Sequence, residues 1–446
     1  MGTLPLPPGP RGLDLVSGGM AAARYLPGYF RKIADRYGDV ACISAGPVRV
    51  FLLNTPVLAQ DLLVDHDALF EKGRGERRFT RRLLDNGLLG SEGEFHRSQH
   101  HLVEPLVHGQ AIRPHAEVVV ERGVRMQERW RDGQVVDVFD LLAYTTLGVM
   151  VEVLFGASVD GSEGRRLQGA LSDAVEALES LPVPVLPGAE HLPLPANRRF
   201  GRARARLDSL LLHEVNERRA DRTPRSDLLA SLAEARLPDG RTMDDHLVRD
   251  EAMSIFRGHK TTGTALSWTW YLLSRHPDVE ARVLEEIDSV LGDRLPTADD
   301  LAALTYCRMV VAESMRLFPP AWTMARRATA AHEVGGYPVP VGSTVITSPY
   351  VIHRDARVHP DPRRFDPERF LPERRAGWHP FAYFPFGGGP KKCLGDEFAP
   401  FEATLLMATI GRTWRLRLEP GFRVEPAPKA TLKPRYGMRM VLERRS

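Results

Sequence analysis

The chain has 446 residues, 43% of them hydrophobic and 26% charged, and a formal net charge of +3. That is the balance of an ordinary globular protein with a sizeable core, and it gives no reason to expect a nucleic acid partner. Length alone allows two or three domains. No linker divides the sequence, so one large domain over 1–446 is expected, behind a proline-rich lead-in over 1–20. Cys42, Cys307 and Cys393 are too scattered for a disulfide framework and fit a reducing cytoplasm. No N-terminal apolar run approaches the ~20 residues that cross a bilayer, so neither a transmembrane anchor nor a signal peptide is expected.

In chain order, residues 21–37 carry a helical pattern, and 48–54 form a short apolar run with strand character. Residues 66–94, rich in Arg, Gly and Asp, read as loop. Helices are expected over 95–107, 115–131 and 136–155, the last apolar enough to be buried. Two further helices, 163–181 and 197–220, flank 182–195, whose five prolines forbid a continuous helix. This connection is a candidate lid over a pocket or a plain surface loop. The longest helical pattern runs over 247–275, with Ala252, Ile255, Phe256, Leu266, Trp270 and Leu273 close to a 3.6-residue period. The stripe is interrupted at His259, Thr262 and Gly263, which points to a functional middle. Residues 334–347 lack a helical period and contain Gly335, Gly336 and Gly342, so hairpin strands are expected there. Residues 396–412 read as a helix opened by Asp396 and Glu397, which Pro400 is expected to kink.

Residues 384–395 read Phe-Pro-Phe-Gly-Gly-Gly-Pro-Lys-Lys-Cys-Leu-Gly. Consecutive glycines let the backbone take positive φ and approach a flat ligand closely. A helix starting just after Cys393 aims the positive end of its dipole at the sulfur, which favours thiolate over thiol. Loop N–H groups can also donate to it. The spacing of Phe386, Gly389, Cys393 and Gly395 resembles the cysteine signature of the cytochrome P-450 family. The resemblance implies a mainly α fold with small β-sheets (α+β). It also implies haem b (iron protoporphyrin IX), bound through Cys393 between the cysteine loop and the long helix. A thiolate ligand pushes electron density onto haem iron. Where that family usually carries Arg two residues before the cysteine, facing a haem propionate, this chain has Lys391. Lysine supplies the charge without the bidentate fork.

Further matches run in the family's order from about residue 20 to 440. Glu313 and Arg316 share one helix face at i and i+3 with apolar flanks, and resemble the family's Glu-x-x-Arg helix. The resemblance completes it with Arg369 as a structural triad behind the haem. His96 and His100, one turn apart, could be read as a metal pair, but no third ligand is evident. The resemblance makes them propionate contacts, together with Arg326 or its neighbour Arg327. The family's oxygen-activating helix usually reads Ala/Gly-Gly-x-Asp/Glu-Thr. Here Arg257-Gly258-His259-Lys260-Thr261 aligns with it. Gly258 and Thr261 are kept, the acid has become Lys260, and the small residue has become Arg257. Either both cations point away and water relays protons, or they build a cationic pocket for an anionic or polar group.

Three functions follow. The first is a monooxygenase fed by a separate ferredoxin or flavodoxin and its reductase, since no flavin or nicotinamide fingerprint is present. Lys391, Lys392 and Arg97 then form a basic patch for an acidic donor, or the lysines serve only the haem. The second is a peroxide-dependent, nitrene-type, rearranging or dehydrating haem-thiolate enzyme. The third is a non-catalytic haem sensor. Phe256, Trp322 and Met324 are candidate pocket walls for an apolar guest. A cytoplasmic bacterial monomer of specialised metabolism is expected, its arginine richness pointing to a high-GC source.

Overall fold

The computed structural model describes residues 6–11, 13–45, 48–157, 161–179, 192–221, 227–237 and 240–445. Most of the expected lid, 182–195, lies outside the described residues. The chain forms two compact units. The first is Met1–Gly73, Gly123–Ala143 and Thr261–Ser446; the second is Arg74–Arg122 and Tyr144–Lys260.

The first unit is built on a five-stranded sheet. Its strands are β1 (Val40–Ala45), β2 (Val48–Leu53), β3 (Phe70–Lys72), β4 (Met324–Ala328) and β5 (Thr344–Thr347). They lie in the order β1-β2-β5-β4-β3. β2 and β5 run parallel, with Val50 opposite Thr344, and every other pair is antiparallel. Side chains alternate across a strand, so β2 sends Phe51 and Leu53 to one face and Leu52 to the other. Phe51 and Leu53 join Leu62, Leu63, Val345, Phe381 and Phe384 in one core cluster. Leu52 joins Phe30, Ile33, Trp322 and Val351 in a second. Both faces are therefore covered. Each such fully buried side chain contributes roughly 1.5–3 kcal/mol.

A three-stranded sheet places Arg439–Arg444 between Val135–Asp137 and Trp414–Leu418. The helix Phe398–Gly411 is apolar on all sides and buried almost throughout, and it packs on Thr305–Leu317 and Pro277–Leu291. It begins at Phe398 rather than Asp396. Pro400 falls in its first turn, where backbone N–H groups have no intrahelical partner, so the expected kink has no cause. The hairpin expected in 334–347 is present as His332–Val334 against Tyr337–Val339, followed by β5.

Two further expectations are corrected. Residues 66–94 are not one loop: they hold a 3-10 turn (Asp67–Leu69), β3, and a helix, Arg74–Leu84. Arginine is a good helix former, and the buried Leu83 and Leu84 anchor the end of that helix. Nor is 247–275 one helix. Asp245–Phe256 stops and His259–Arg275 starts afresh, with a turn at Arg257 and Gly258.

The second unit is helical, with Gly93–Val103, Ser162–Glu179, Pro195–Ala220, Leu228–Glu234 and Asp245–Phe256 as its main elements. Buried arginines tie it together. Arg218 meets Asp227 and Glu214, both at 2.8 Å, and the Phe155 carbonyl at 2.6 Å. Arg249 pairs with Asp208 and, at 2.6 Å, with Asp250. Val138–Phe155 is long and apolar enough to cross a membrane, and 67% of it is buried inside the protein.

Within the first unit, Gly263 lies where the helix backbone of Ala143 comes close: a Cβ there would stand 3.0 Å from the Ala143 Cα and N. Backbone cannot yield as a side chain does. Gly263→Ala is expected to destabilise the protein by about 1–3 kcal/mol, read as a lower denaturation midpoint at unchanged slope in urea.

Candidate functional site

The cysteine loop stands on the first core cluster through Phe381 and Phe384. Its three glycines meet three different demands. Gly387 has φ +76 and lies against the Met324 side chain. A Cβ on Gly388 would sit 2.4 Å from the Phe381 ring. Gly389 has φ +69, and a Cβ there would stand 1.9 Å from the Leu63 carbonyl oxygen. The loop is closed by the Cys393 N–H donating to the Phe386 carbonyl at 3.0 Å and the Lys392 N–H to the Gly389 carbonyl at 3.0 Å. The Gly395 N–H donates to the Cys393 sulfur at 3.4 Å.

Cys393 is accessible, yet the dense protein around it disfavours charge and pushes its thiol above the ordinary value. The Gly395 N–H opposes this, Asp396 adds to it, and Lys392 opposes it. Among the protein groups alone, burial therefore outweighs the donors that the loop offers the sulfur. The helix starts five residues later, and the Asp396 carboxylate lies between. A cation bound at the sulfur would favour the thiolate.

Lys391 is not presented to a partner. Its ammonium is buried against Asp67 at 2.6 Å and donates also to the Phe70 carbonyl at 3.4 Å. Lys392 pairs with Asp396, and Arg97, in the second unit, pairs with Glu94. The expected basic patch is therefore neutralised residue by residue.

The expected triad is assembled. Arg316 holds Glu313 in a two-pronged pair at 2.6 and 2.8 Å, and Arg369 reaches the same carboxylate at 3.3 Å. All three residues are buried. Two guanidiniums on one carboxylate leave a surplus positive charge, and backbone oxygens absorb it. Arg316 donates to the carbonyls of His353 (2.6 Å), Pro362 (2.7 Å) and Arg364 (3.1 Å), and Arg369 to those of Pro360 and Asp361.

This brace reaches the cysteine loop through two histidines that carried no recognisable signal in the sequence. His353 Nε2 accepts the Phe384 N–H at 3.0 Å, and His359 Nε2 donates to the Ala382 carbonyl at 2.9 Å. Burial pushes both imidazoles down, His353 well below its ordinary value and His359 to about 4. Both are neutral near pH 7, as the His353 acceptor role requires.

Strand alternation separates Arg326 from Arg327. Arg327 is engaged by Glu71 at 2.8 Å. Arg326 lies on the opposite strand face, the face of Met324, whose side chain lies against Gly387. Trp322 packs on Phe30 with ring centroids 6.0 Å apart, and its N–H donates to the Lys429 carbonyl at 3.2 Å. The sheet core, rather than a ligand, accounts for its burial, which corrects its reading as a pocket wall.

In the second unit, Asp250 accepts the Asn86 N–H at 3.0 Å and Glu251 the Leu88 N–H at 3.1 Å. The Leu88 carbonyl in turn takes Nδ1 of His96 at 3.0 Å and aims its ring. His100 lies 3.6 Å from Glu104. At the helix break, Gly258 N–H donates to the Ile255 carbonyl at 3.0 Å. His259 Nδ1–H donates to the Phe256 carbonyl at 2.7 Å, and the Thr146 hydroxyl donates to the His259 carbonyl at 2.9 Å. Side chains thus satisfy carbonyls beside the break, and His259 is a buried structural histidine. Phe256 is buried beside it, with ring centroids 4.7 Å apart.

Beyond the break, in the first unit, Thr262 meets a residue that the sequence did not single out. Burial pushes the Glu402 carboxyl up to about 8, and the Thr262 side chain is the one group that pulls it back. Glu402 is therefore protonated at neutral pH.

A mainly helical protein with a glycine-built loop that offers an accessible, backbone-tethered cysteine is a thiolate scaffold for a metal or haem. The cytochrome P450 family model matches residues 7–440. Cyclooctatin synthase of Streptomyces melanosporofaciens is 36% identical over 426 residues, which cover 95% of this chain and 92% of that protein. Cyclooctat-9-en-7-ol 5-monooxygenase of the same organism is 37% identical over 391 residues, covering 86% and 84%. Pentalenene oxygenase of Streptomyces avermitilis is 32% identical over 422 residues, covering 94% and 93%. The solved cytochrome P450DA haem domain matches with a TM-score of 0.88 at 25% identity, covering 100% of this chain and 99% of that one. Retinoic acid bound cyanobacterial CYP120A1 matches with a TM-score of 0.86 at 24% identity, covering all of both chains. The chain belongs to the cytochrome P450 family. It is a haem-b-dependent oxidoreductase with that family's mainly helical fold. The residues present fit the haem: an accessible sulfur, a glycine backbone shaped by close approach, and an arginine on the strand face beside the loop.

A pH prediction follows from His359. An imidazole lowered on folding contributes stability above its unfolded value near 6.5 that is lost as pH falls towards about 4. His359→Gln is expected to melt lower at pH 7 and to lose less of its melting temperature than the parent between pH 6.5 and 4. Parallel slopes in a melting series would contradict this assignment.

Proposed function

We propose that this protein is a monooxygenase that inserts one oxygen atom from dioxygen into a small, largely apolar carbocyclic molecule, using electrons from a separate ferredoxin or flavodoxin. The observation that carries this reading is the likeness, over 84% or more of each relative's length, to two proteins named as a monooxygenase and an oxygenase. Their names point to the substrate class: cyclooctat-9-en-7-ol is a cyclic alkenol and pentalenene a hydrocarbon.

Haem b, when bound, supplies oxygen activation at iron and thereby oxidation of unactivated carbon. In this reading Cys393 holds the iron through its sulfur. Arg326 and His96 answer the propionate charges, with His100 beside His96, while Lys391, expected to face a propionate, is held by Asp67 and secures the loop instead. Phe386, Gly389 and Gly395 set the loop that carries the sulfur. Gly258 frees the helix turn, and the Thr261 hydroxyl holds a proton for delivery. Lys260 puts a cation where the family has an acid, and Arg257 orients a polar group of the substrate. Phe256 and Met324 exclude water.

The altered pair Lys260-Thr261 beside Arg257 favours a second reading, in which peroxide or no external electron source drives the reaction. Product analysis of purified protein with cyclic alkenes and alkenols separates the two, run with reductant and ferredoxin, with peroxide, and with neither. Turnover only in the first arm supports the monooxygenase. Reversible gas binding without turnover in any arm would leave a sensor.

Two substitutions test the residues. Cys393→Ser is expected to lose the reduced carbon monoxide spectrum of a thiolate-ligated haem; its retention would remove the basis of the site. Lys260→Glu restores the usual relay charge and is expected to raise dioxygen-dependent turnover and coupling. Loss of turnover in that variant with normal haem binding would make the lysine part of the native chemistry.

A further inference from the structure

Outside the site just described, the first unit gathers three metal-type donors from distant parts of the chain. Asp61 and His66 flank one helical turn, and His332 opens the hairpin strand His332–Val334. Their ligand atoms all lie within 4.8 Å of one another. One carboxylate faces both imidazoles: His66 Nδ1 is 2.7 Å from Asp61 Oδ1, and His332 Nε2 is 3.3 Å from Asp61 Oδ2. The two rings lie 4.2 Å apart, inclined by 42°. We propose that Asp61, His66 and His332 form a binding site for a zinc-class divalent cation.

Chemistry selects the cation. Two imidazole nitrogens and one carboxylate oxygen suit zinc and its borderline neighbours, whereas calcium and magnesium prefer all-oxygen shells. Metal–ligand bonds of ~2.0–2.2 Å need donor atoms no more than about 4 Å apart, so a small inward shift of one side chain completes the geometry. The surroundings welcome positive charge. Asp61, Asp65 and Asp67 follow one another along the turn, and only Asp67 is offset by a buried lysine, Lys391. Three protein ligands leave a fourth position for water, and the site is accessible enough to fill, with the His66 side chain 43% exposed.

The donors are held by packing that does not depend on the cation. Leu62 and Leu63 anchor the turn in the sheet core. The His332 ring stands edge-on to Phe70 with centroids 5.8 Å apart at 86°. This placement gives the cation a consequence. The same turn carries the Leu63 carbonyl that Gly389 accommodates, and it runs into Asp67, the partner of Lys391. A bound cation therefore stiffens the support of the cysteine loop without touching the loop.

The test uses haem-loaded, tag-free protein stripped by chelator and dialysed, titrated with zinc chloride in a calorimeter. One zinc per chain is expected, with a rise in melting temperature, while magnesium chloride gives neither. His332→Ala and His66→Gln are each expected to weaken zinc binding at least tenfold while leaving the reduced carbon monoxide spectrum unchanged. His66→Gln, at the more exposed position, keeps the test valid if His332→Ala folds poorly. His108→Ala serves as the control, because His100 and His108 flank Glu104 in the second unit at 3.6 and 3.7 Å and form a competing pair around a carboxylate. It should leave the affinity unchanged. The proposal falls if the parent protein shows no saturable binding. It also falls if His66→Gln binds zinc as the parent does, or if His108→Ala is the variant that loses it.

Discussion

The carboxylate of Glu313 sits where no water reaches it, and the first unit is arranged to make that tolerable. An isolated buried charge is far too costly to keep, so two guanidiniums accompany it. They overcompensate, and the excess is spread over the backbone carbonyls of His353, Pro360, Asp361, Pro362 and Arg364. A helix, Thr305–Leu317, is thereby bound to an irregular stretch that has no ladder of its own. Removing one partner of such a group costs about 3–5 kcal/mol. The brace then passes to chemistry through His353, whose carbonyl takes Arg316 and whose ring takes the Phe384 N–H. The cysteine loop is thus held from behind by a charge cluster that never touches it.

From the other side the loop is held by fit. Gly388 and Gly389 leave no room for a side chain against Phe381 and Leu63, and the Lys391–Asp67 pair closes the same seam. A lysine serves there because the demand is a single buried charge answered by one carboxylate oxygen, for which a compact ammonium suffices. The family's usual arginine fork would have more donors than this seam uses. At the sulfur itself burial pushes the thiol up, the Gly395 N–H and Lys392 oppose it, and Asp396 adds to it, so a cation bound there would favour the thiolate.

The long helix follows another logic. Its stop at Phe256 and restart at His259 exchange regular hydrogen bonds for side-chain ones from His259 and Thr146. Downstream, Gly263 admits the backbone of Ala143, and Thr262 faces the protonated Glu402. One short stretch therefore combines a broken turn, a close helix contact and a buried acid, which is why its apolar stripe is interrupted.

The elements whose signal is local were legible in the residues alone: the strand around Phe51, the apolar helices, the glycine-rich cysteine loop, and Glu313 with Arg316 at helical spacing. Their chemistry follows from residue type and short-range period, which sequence carries directly. The break at Arg257 and Gly258, the helix inside 66–94 and the start of the last long helix at Phe398 were not legible, because propensity there is weak and packing decides. Still less visible were the partners: Asp67 for Lys391, His353 for Phe384, Glu402 for Thr262, Asp61 and His66 for His332. Each brings together residues far apart along the chain, and only the folded sheet and helices make them neighbours.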